Sequence, residues 1–139
     1  MKALVVYHSK TGITKKFGNE INNFLKEKKY TSEVMRIEEV KPNDIGGADI
    51  VFLGCWTSGL FLFLQHPDSV WKKYASQLPE MKNKKVGFFT TYKVATGSMF
   101  KNMNKVIGQK LIVPVNFILK SKDGSLSDEN KKMLNDFLV

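Results

Sequence analysis

Apolar residues in this chain gather in short continuous runs, at residues 2–7, 50–54, 86–90 and 111–119. A weaker run covers residues 31–37. Continuous rather than alternating runs indicate strands that are buried on both faces, as in a parallel sheet covered by helices. Each run therefore predicts one β-strand.

Segments with helical periodicity separate these runs. Their apolar positions are Ile13, Phe17, Ile21, Phe24 and Leu25; Val70, Trp71 and Tyr74; Met99, Met103, Val106 and Ile107; and Met133, Leu134, Phe137 and Leu138. Pro67 suits the first turn of the second of these helices, Gly108 ends the third, and Ser127 caps the last. With a short helix before residue 50, strands and helices alternate along all 139 residues. This order predicts one α/β domain, residues 1–139, with right-handed crossovers in a parallel sheet.

A phosphate-binding turn is predicted where the first strand meets the first helix. The turn consists of Ser9, Lys10, Thr11, Gly12, Ile13 and Thr14. A strand, a turn rich in glycine and hydroxyl groups, and a helix are the arrangement that holds a phosphate on backbone N–H groups. Gly12 permits the tight turn and the close approach of the backbone to the phosphate.

In these residues the chain resembles the flavodoxin family, whose first loop reads Ser/Thr-x-Thr-Gly-x-Thr. Residues 9–14 match every fixed position, between the same two elements, and residues 54–59 end the third strand as in that family. The resemblance covers the whole chain, at the length of the short-chain branch. It implies a flavodoxin-like three-layer α/β sandwich with a five-stranded parallel sheet in the order 2-1-3-4-5. It also implies that FMN is the cofactor.

The resemblance assigns three loops to FMN, the first of them to its phosphate. The second loop follows the third strand and the third loop follows the fourth, and Trp56 and Tyr92 are expected to stack on the ring. The other residues so assigned are Cys55, Thr57, Ser58, Gly59, Thr91, Lys93 and Gly97. The alternatives are that Trp56 is packed core and that Tyr92 and Lys93 are solvated surface. We expect Cys55 to be a small packing residue rather than a reactive thiol.

The charge departs from the acidic pattern of flavodoxins. The chain has 22 Lys+Arg against 13 Asp+Glu, a net charge of +9, and Arg36 is its only arginine. So little arginine argues against sequence-specific nucleic-acid binding, whereas the positive charge predicts acidic redox partners. Residues 81–122 hold nine lysines, Lys93 and Lys101 among them, and no carboxylate.

These lysines bear on the redox potential of the flavin. A lysine about 10 Å from the ring stabilises a negative charge there by roughly 1–2 kcal/mol at an effective dielectric of about 20–40. For a one-electron couple that raises the potential by roughly 40–70 mV. We therefore predict that the second one-electron couple is less reducing than is usual in the family.

The apolar residues 60–64 are the other departure. Either they are buried under the following helix, or they form an exposed rim that docks a redox partner, a hydrophobic substrate or a second subunit. The leading hypothesis is a small FMN-binding electron carrier. The alternative is an FMN-dependent reductase of a quinone- or protoporphyrinogen-like substrate. A phosphorelay receiver is excluded, because His8, Ser9, Gly54 and Cys55 stand where it needs acidic residues.

The remaining expectations concern compartment and assembly. We predict no signal peptide, because the N-terminus enters a strand after one lysine, with no basic region and no small-residue cleavage site. We predict no membrane span, because no apolar run reaches about 18 residues. The single cysteine rules out a disulfide within the chain. We expect a cytoplasmic location; the sequence leaves the oligomeric state open, with a monomer as the default.

Overall fold

The computed structural model describes residues 1–58 and 64–139. In chain order the elements are β1 (Lys2–His8), α1 (Ile13–Glu27), β2 (Thr31–Arg36), α2 (Pro42–Gly46), β3 (Ile50–Ser58), β4 (His66–Pro67), α3 (Ser69–Ala75), β5 (Lys85–Thr91), α4 (Met99–Ile107), β6 (Ile118–Ser121) and α5 (Asp128–Leu138). Among these residues, no helix is both long enough and apolar enough to cross a membrane.

Five of the described strands form a parallel sheet in the order β2-β1-β3-β5-β6. Numbered without β4, that order is 2-1-3-4-5, which confirms the predicted topology. The sixth strand, β4, was not predicted: its two residues pair antiparallel with the end of β3, His66 opposite Ser58 and Pro67 opposite Thr57. All five parallel strands end at one edge of the sheet, where such folds bind their ligands.

Helices cover both faces of the sheet and bury two separate cores. On one face, Phe17 and Ile21 of α1 pack with Leu134 of α5 against the strands. On the other face, Trp71 of α3 and Met103 of α4 do the same. Burying each such side chain stabilises the fold by about 1.5–3 kcal/mol. The cores hold the strand ends in fixed positions, so the loops that follow them are presented on a rigid base.

The third and fourth parallel strands run further than predicted. β3 continues to Ser58, so Cys55, Trp56, Thr57 and Ser58 lie in a strand rather than in a loop. Likewise Thr91 is the last residue of β5. The reason is pairing: Cys55 and Trp56 lie opposite residues of β5, and β4 pairs with the last two residues of β3.

The apolar run at residues 111–119 is not a single strand, because β6 begins only at Ile118. Pro114 lacks a backbone N–H, and the Asn104 side chain takes the place of a neighbouring strand at Val115. Its Oδ1 accepts from the Val115 N–H at 2.8 Å and its Nδ2 donates to the Val115 carbonyl at 3.0 Å. Ile112 and Val113 are left 72% and 68% exposed.

The predicted helix ends are confirmed with one exception. Ser127 caps α5 by accepting from the Asn130 N–H at 3.1 Å, and Gly108 follows the end of α4. Pro67, however, is not in the first turn of α3, because it belongs to β4. Asp68 caps α3 instead, its Oδ1 accepting from the Val70 N–H at 2.8 Å.

Candidate functional site

A cleft of about 540 Å³ opens at the carboxyl ends of β1, β3, β5 and β6. Its described walls are Lys10, Thr11 and Ile13 after β1; Trp56, Thr57 and Ser58 at the end of β3; Gln65 before β4; Thr91, Tyr92, Lys93, Val94 and Ala95 from the end of β5; and Lys122 after β6. This volume is within the range of small-molecule sites, about 300–1,000 Å³.

The turn at residues 9–14 leaves backbone donors free beside the cleft. Gly12 has a φ of +94°, and its N–H donates to Ser9 Oγ at 2.9 Å. The first hydrogen bond of α1 runs from the Lys16 N–H to the Gly12 carbonyl at 3.0 Å. The N–H groups of Ile13 and Thr14 precede that bond and have no acceptor within the helix. With the positive end of the helix dipole, these N–H groups give the turn the donors and the partial positive charge that an anion-binding turn needs.

Thr14 joins this turn to β5. Its side chain is buried, and Thr14 Oγ1 lies 2.6 Å from Thr91 Oγ1. The bond spans 77 positions of the chain. Thr14 therefore fixes the turn against the strand that ends in the third predicted loop, and its hydroxyl is shared with Thr91.

Trp56 lies between the core and the cleft. Its ring is partly buried against the core on the α3 and α4 side, and it also lines the cleft. Among the described residues no acceptor lies within hydrogen-bond distance of the buried Trp56 Nε1. The Lys10 Nζ lies 4.9 Å from the centroid of the Trp56 ring. Trp56 thus packs against the core and also lines the cleft, and its stacking on the flavin ring stays a prediction.

Tyr92 is the second aromatic wall. Its backbone N–H donates to the Ser121 carbonyl at 3.2 Å, which holds the start of the third loop beside the end of β6. The Lys122 Nζ lies 5.7 Å from the centroid of the Tyr92 ring. Both aromatic side chains among the described walls of the cleft therefore have a lysine ammonium within cation–π distance.

Cys55 lies behind the cleft rather than in it. The thiol is fully buried, and its Sγ accepts from the Asp68 N–H at 3.4 Å. Burial raises the pKa of the Cys55 thiol far above its ordinary value. Because only the thiolate is a good nucleophile, Cys55 is chemically inert and acts as a packing residue.

Two other predicted residues do not line the described cleft. Gly97 has a φ of +48° and packs against Gln65, whose side-chain oxygen a Cβ at Gly97 would strike. Gly59 and the apolar residues 60–63 lie outside the described residues, so their predicted roles stay predictions. The structure brings the other predicted site residues together. Ser9, Gly12 and Thr14 form the turn, and the rest line the walls of the cleft.

The sequence analysis missed four residues of the cleft: Gln65, Val94, Ala95 and Lys122. Lys122 comes directly after β6, and the carboxyl ends of neighbouring parallel strands meet at one edge. Applied to β6, the last strand of the sheet, this rule predicts Lys122 as a cleft residue. Gln65 carries no such signal. It is placed by its backbone carbonyl, which accepts from Ser98 Oγ at 2.8 Å and from Asn102 Nδ2 at 2.7 Å.

Known proteins resemble this chain in sequence and in fold. The flavodoxin domain family model matches residues 4–122. Over 94 residues the chain is 34% identical to the flavodoxin of Megasphaera elsdenii, and the alignment spans 67% of this chain but only 66% of that protein.

Solved structures agree over nearly the whole chain. The solution structure of two-electron reduced Megasphaera elsdenii flavodoxin has a TM-score of 0.73 and 25% identity, covering 97% of this chain and 96% of that one. The Streptococcus pneumoniae TIGR4 flavodoxin has a TM-score of 0.71 over 99% and 94% of the two chains, and at 18% identity it supports the fold alone. Because the family model matches well over half of its residues, the chain belongs to the flavodoxin domain family.

Proposed function

We propose that this protein, as a single domain of residues 1–139, binds FMN noncovalently and carries electrons between redox partners. One observation carries the proposal: a turn at a helix N-terminus, with backbone donors unpaired within the helix, and two aromatic side chains border the same 540 Å³ cleft in a chain of the flavodoxin domain family. A phosphate and a flat ring form the two ends of FMN, joined by a ribityl chain, and the cleft offers a wall for each end.

The residues of the turn fit the phosphate. Ser9 and Thr11 supply hydroxyl groups, and the N–H groups at the start of α1 point out of the helix without internal acceptors. The Thr14 hydroxyl is buried against Thr91 and holds the turn in place. No described atom lies within 4 Å of where a Cβ on Gly12 would stand, so the space beside this glycine is open for a ligand. The first turn of α1 contains no acidic residue that would repel an anion. Lys10 adds a positive charge beside the turn.

The aromatic walls fit the ring. Trp56 and Tyr92 present apolar faces that exclude water, and the orphaned Trp56 Nε1 is a buried donor without an acceptor among the described residues. Thr57, Ser58, Thr91 and Lys93 surround these faces with polar groups that are suited to the polar edge of a flavin. Of the other residues that the sequence predicts for the ring, Gly59 lies outside the described residues, and Cys55 and Gly97 do not line the described cleft.

Bound FMN supplies the redox chemistry, because it accepts and releases electrons one at a time. The protein needs to bind and orient the cofactor and to leave one edge of the ring accessible. The inert Cys55 and the hydrogen-bonded pair of Thr14 and Thr91 serve the first task by keeping the cleft walls rigid. A protein that performs these tasks alone is an electron carrier.

The partners of this carrier are acidic redox proteins. The chain carries a net charge of +9, and the lysines at the cleft, Lys10, Lys93 and Lys122, are all exposed. Positive charge around the point of electron transfer steers negatively charged proteins towards it and sets the orientation of the encounter. We place this exchange in the cytoplasm, as the sequence predicts.

Fewer observations support the reductase alternative. Its main support, the apolar segment at residues 60–64, lies almost wholly outside the described residues. The titratable side chains among the described walls of the cleft are Tyr92 and three lysines, with no His, Asp or Glu. Family membership favours the electron carrier.

The first experiment is a titration of the purified, flavin-free protein with FMN, followed by visible absorption and by flavin fluorescence. We expect one FMN per chain and strong quenching of the flavin fluorescence by the aromatic walls. Riboflavin, which lacks the phosphate, is expected to bind more weakly. A protein that binds neither compound contradicts the proposal, and rapid reduction of the bound flavin by NAD(P)H favours the reductase.

Two glycine variants form a matched pair for the phosphate turn. Gly12 and Gly108 both have open space where a Cβ would stand, but only Gly12 has a positive φ. An alanine needs about 1–2 kcal/mol to hold that left-handed conformation. We expect Gly12→Ala to weaken FMN binding by roughly tenfold and Gly108→Ala to leave it unchanged. Equal affinity for both variants contradicts the assignment of the phosphate to this turn.

A further inference from the structure

Two lysines occupy defined positions over the aromatic walls of the cleft. The Lys10 Nζ lies 4.9 Å from the centroid of the Trp56 ring, and the Lys122 Nζ lies 5.7 Å from that of Tyr92. Both distances are within the approximately 6 Å over which a ring face attracts a cation. The two ammonium groups come from loops after β1 and β6, yet the fold brings both of them to the walls of one cleft.

Neither lysine is neutralised by an ion pair among the described residues, where the salt bridges involve His8, Arg36 and Lys82. The nearest carboxylate along the chain is that of Asp123, next to Lys122. Its Oδ1 instead accepts from the Ser125 N–H at 2.9 Å and from Ser121 Oγ at 3.2 Å. No Asp or Glu is among the described walls of the cleft. The cleft therefore presents an uncompensated positive charge to its ligand.

This arrangement favours one oxidation state of the ligand over the other. Two electrons from redox partners and one proton from water leave the flavin ring with one negative charge, whereas the oxidised ring is neutral. We propose that Lys10 and Lys122 stabilise this anionic reduced ring, so that the cleft binds reduced FMN more tightly relative to oxidised FMN than it would without them. The proposal rests on the proposed function, since it requires FMN in this cleft.

The structure changes which lysines are expected to stabilise the reduced flavin ring. From the sequence, Lys93 and Lys101 stood out within the stretch that lacks acidic residues. Lys101 lies on α4 and is not part of the described cleft, and Lys93 lines the cleft but lies over no described ring. Lys10 and Lys122 are held at the aromatic walls, at opposite ends of the sequence. The expected effect is therefore assigned to these two.

The test compares the dissociation constants of oxidised and reduced FMN in the wild-type protein, in Lys10→Gln and in Lys122→Gln. The ratio of the two constants is the informative quantity, because any change in phosphate binding affects both oxidation states equally and cancels. We expect each substitution to lower the relative affinity for reduced FMN by roughly tenfold. A tenfold change corresponds to about 30 mV in a two-electron midpoint potential, so anaerobic dye-linked potentiometry checks the same quantity independently.

Two further variants make the outcome decisive. Lys105→Gln removes the same charge from an exposed position on α4, outside the described cleft, and is expected to leave the ratio unchanged. Lys122→Arg keeps the charge over Tyr92 and is expected to keep the wild-type ratio. Tight FMN binding with the same ratio in wild type, Lys10→Gln and Lys122→Gln overturns this proposal and leaves the electron carrier intact. Failure of the wild-type protein to bind FMN overturns both.

Discussion

Gly54 is the residue at which the sheet has least room for a side chain. It lies in β3, and a Cβ at this position would overlap the ring of Phe89, which is fully buried and packs edge-on against Phe17. We expect Gly54→Ala to lower the free energy of unfolding by about 1–3 kcal/mol through overpacking. Urea unfolding followed by far-UV circular dichroism measures the change.

Gly46 provides the matched control for this prediction. It is the last residue of α2, its φ is not positive, and no described atom lies within 4 Å of where its Cβ would stand. Alanine there reduces the entropy of the unfolded chain, so Gly46→Ala is expected to be neutral or stabilising by up to about 1 kcal/mol. Equal loss of stability in the two variants would show that the Phe89 ring is not the cause.

Asp123 gives the stability of the protein a defined dependence on pH. The Ser125 N–H and the Ser121 hydroxyl hold the pKa of its carboxyl below the ordinary value of 3.8. A pKa that is lower in the folded state stabilises the fold above the unfolded pKa, and this contribution is lost as the pH falls through the folded pKa. We expect Asp123→Ala to unfold at lower urea concentration than the wild type at pH 6. The gap should close in the range below pH 3.8, and a gap that stays constant contradicts the prediction.

Individual residues of the site were predictable from sequence where a local motif marks them. The turn at residues 9–14 is such a motif, and the structure forms it with the glycine in the left-handed conformation that the motif requires. Gln65 and Lys122 lie in the same cleft without any motif of their own. Their positions depend on contacts with α4 and with β5, which no local pattern contains.

At the scale of elements, the bond between Thr14 and Thr91 links the start of α1 to the end of β5. Both hydroxyls are buried, and their oxygens lie 2.6 Å apart. Removing one partner leaves the other hydroxyl buried with no bond, which costs about 1–3 kcal/mol, whereas removing both is much less costly. We expect Thr14→Val and Thr91→Val each to destabilise the FMN-free protein by that amount.

A double-mutant cycle on the FMN-free protein tests this link directly. The combined variant Thr14→Val/Thr91→Val is expected to be less destabilised than the sum of the two single variants, which indicates positive coupling. Strict additivity would mean that the two hydroxyls do not depend on each other in solution.

Elements were predictable from sequence where their cause is local. Such elements are β1, β3 and β5, whose burial is indicated by continuous apolar runs, and α5, whose cap is the residue next to its first turn. β6 is not such an element, because residues 111–117 are as apolar as a strand, yet the backbone of Val115 bonds to the side chain of Asn104 rather than to a neighbouring strand. The two-residue β4 is equally invisible, since its partner is the far end of β3.

At the scale of the whole molecule, the alternation of strands and helices was sufficient to predict a parallel sheet with helices on both faces, but not the order of its strands. Right-handed crossovers and burial on both faces leave few ways to order five parallel strands, and the resemblance selected one of them. The extended ends of β3 and β5 depend on pairing between distant segments. Local pattern therefore predicted the layers and tertiary pairing decided their boundaries.

The net charge of +9 belongs to the molecule as a whole and predicts how it meets its partners. Electron transfer from the FMN-loaded protein to an acidic redox protein is expected to slow by at least tenfold as the ionic strength rises from about 0.01 M to 0.5 M, because salt screens the attraction. Stopped-flow mixing measures the second-order rate constant. A basic redox protein of similar size and potential is the control, and its rate should rise with salt. Rates that fall with salt for both partners contradict the prediction.

Lys10, Lys93 and Lys122 are exposed, lie in three separate loops and belong to neither core. The charge of the cleft and the stability of the fold therefore depend on different residues, and this separation has a consequence for evolution. A single codon change at any of these lysines alters the charge and leaves every core contact in place. Selection on electron affinity can therefore proceed in small steps, each of which yields a folded protein.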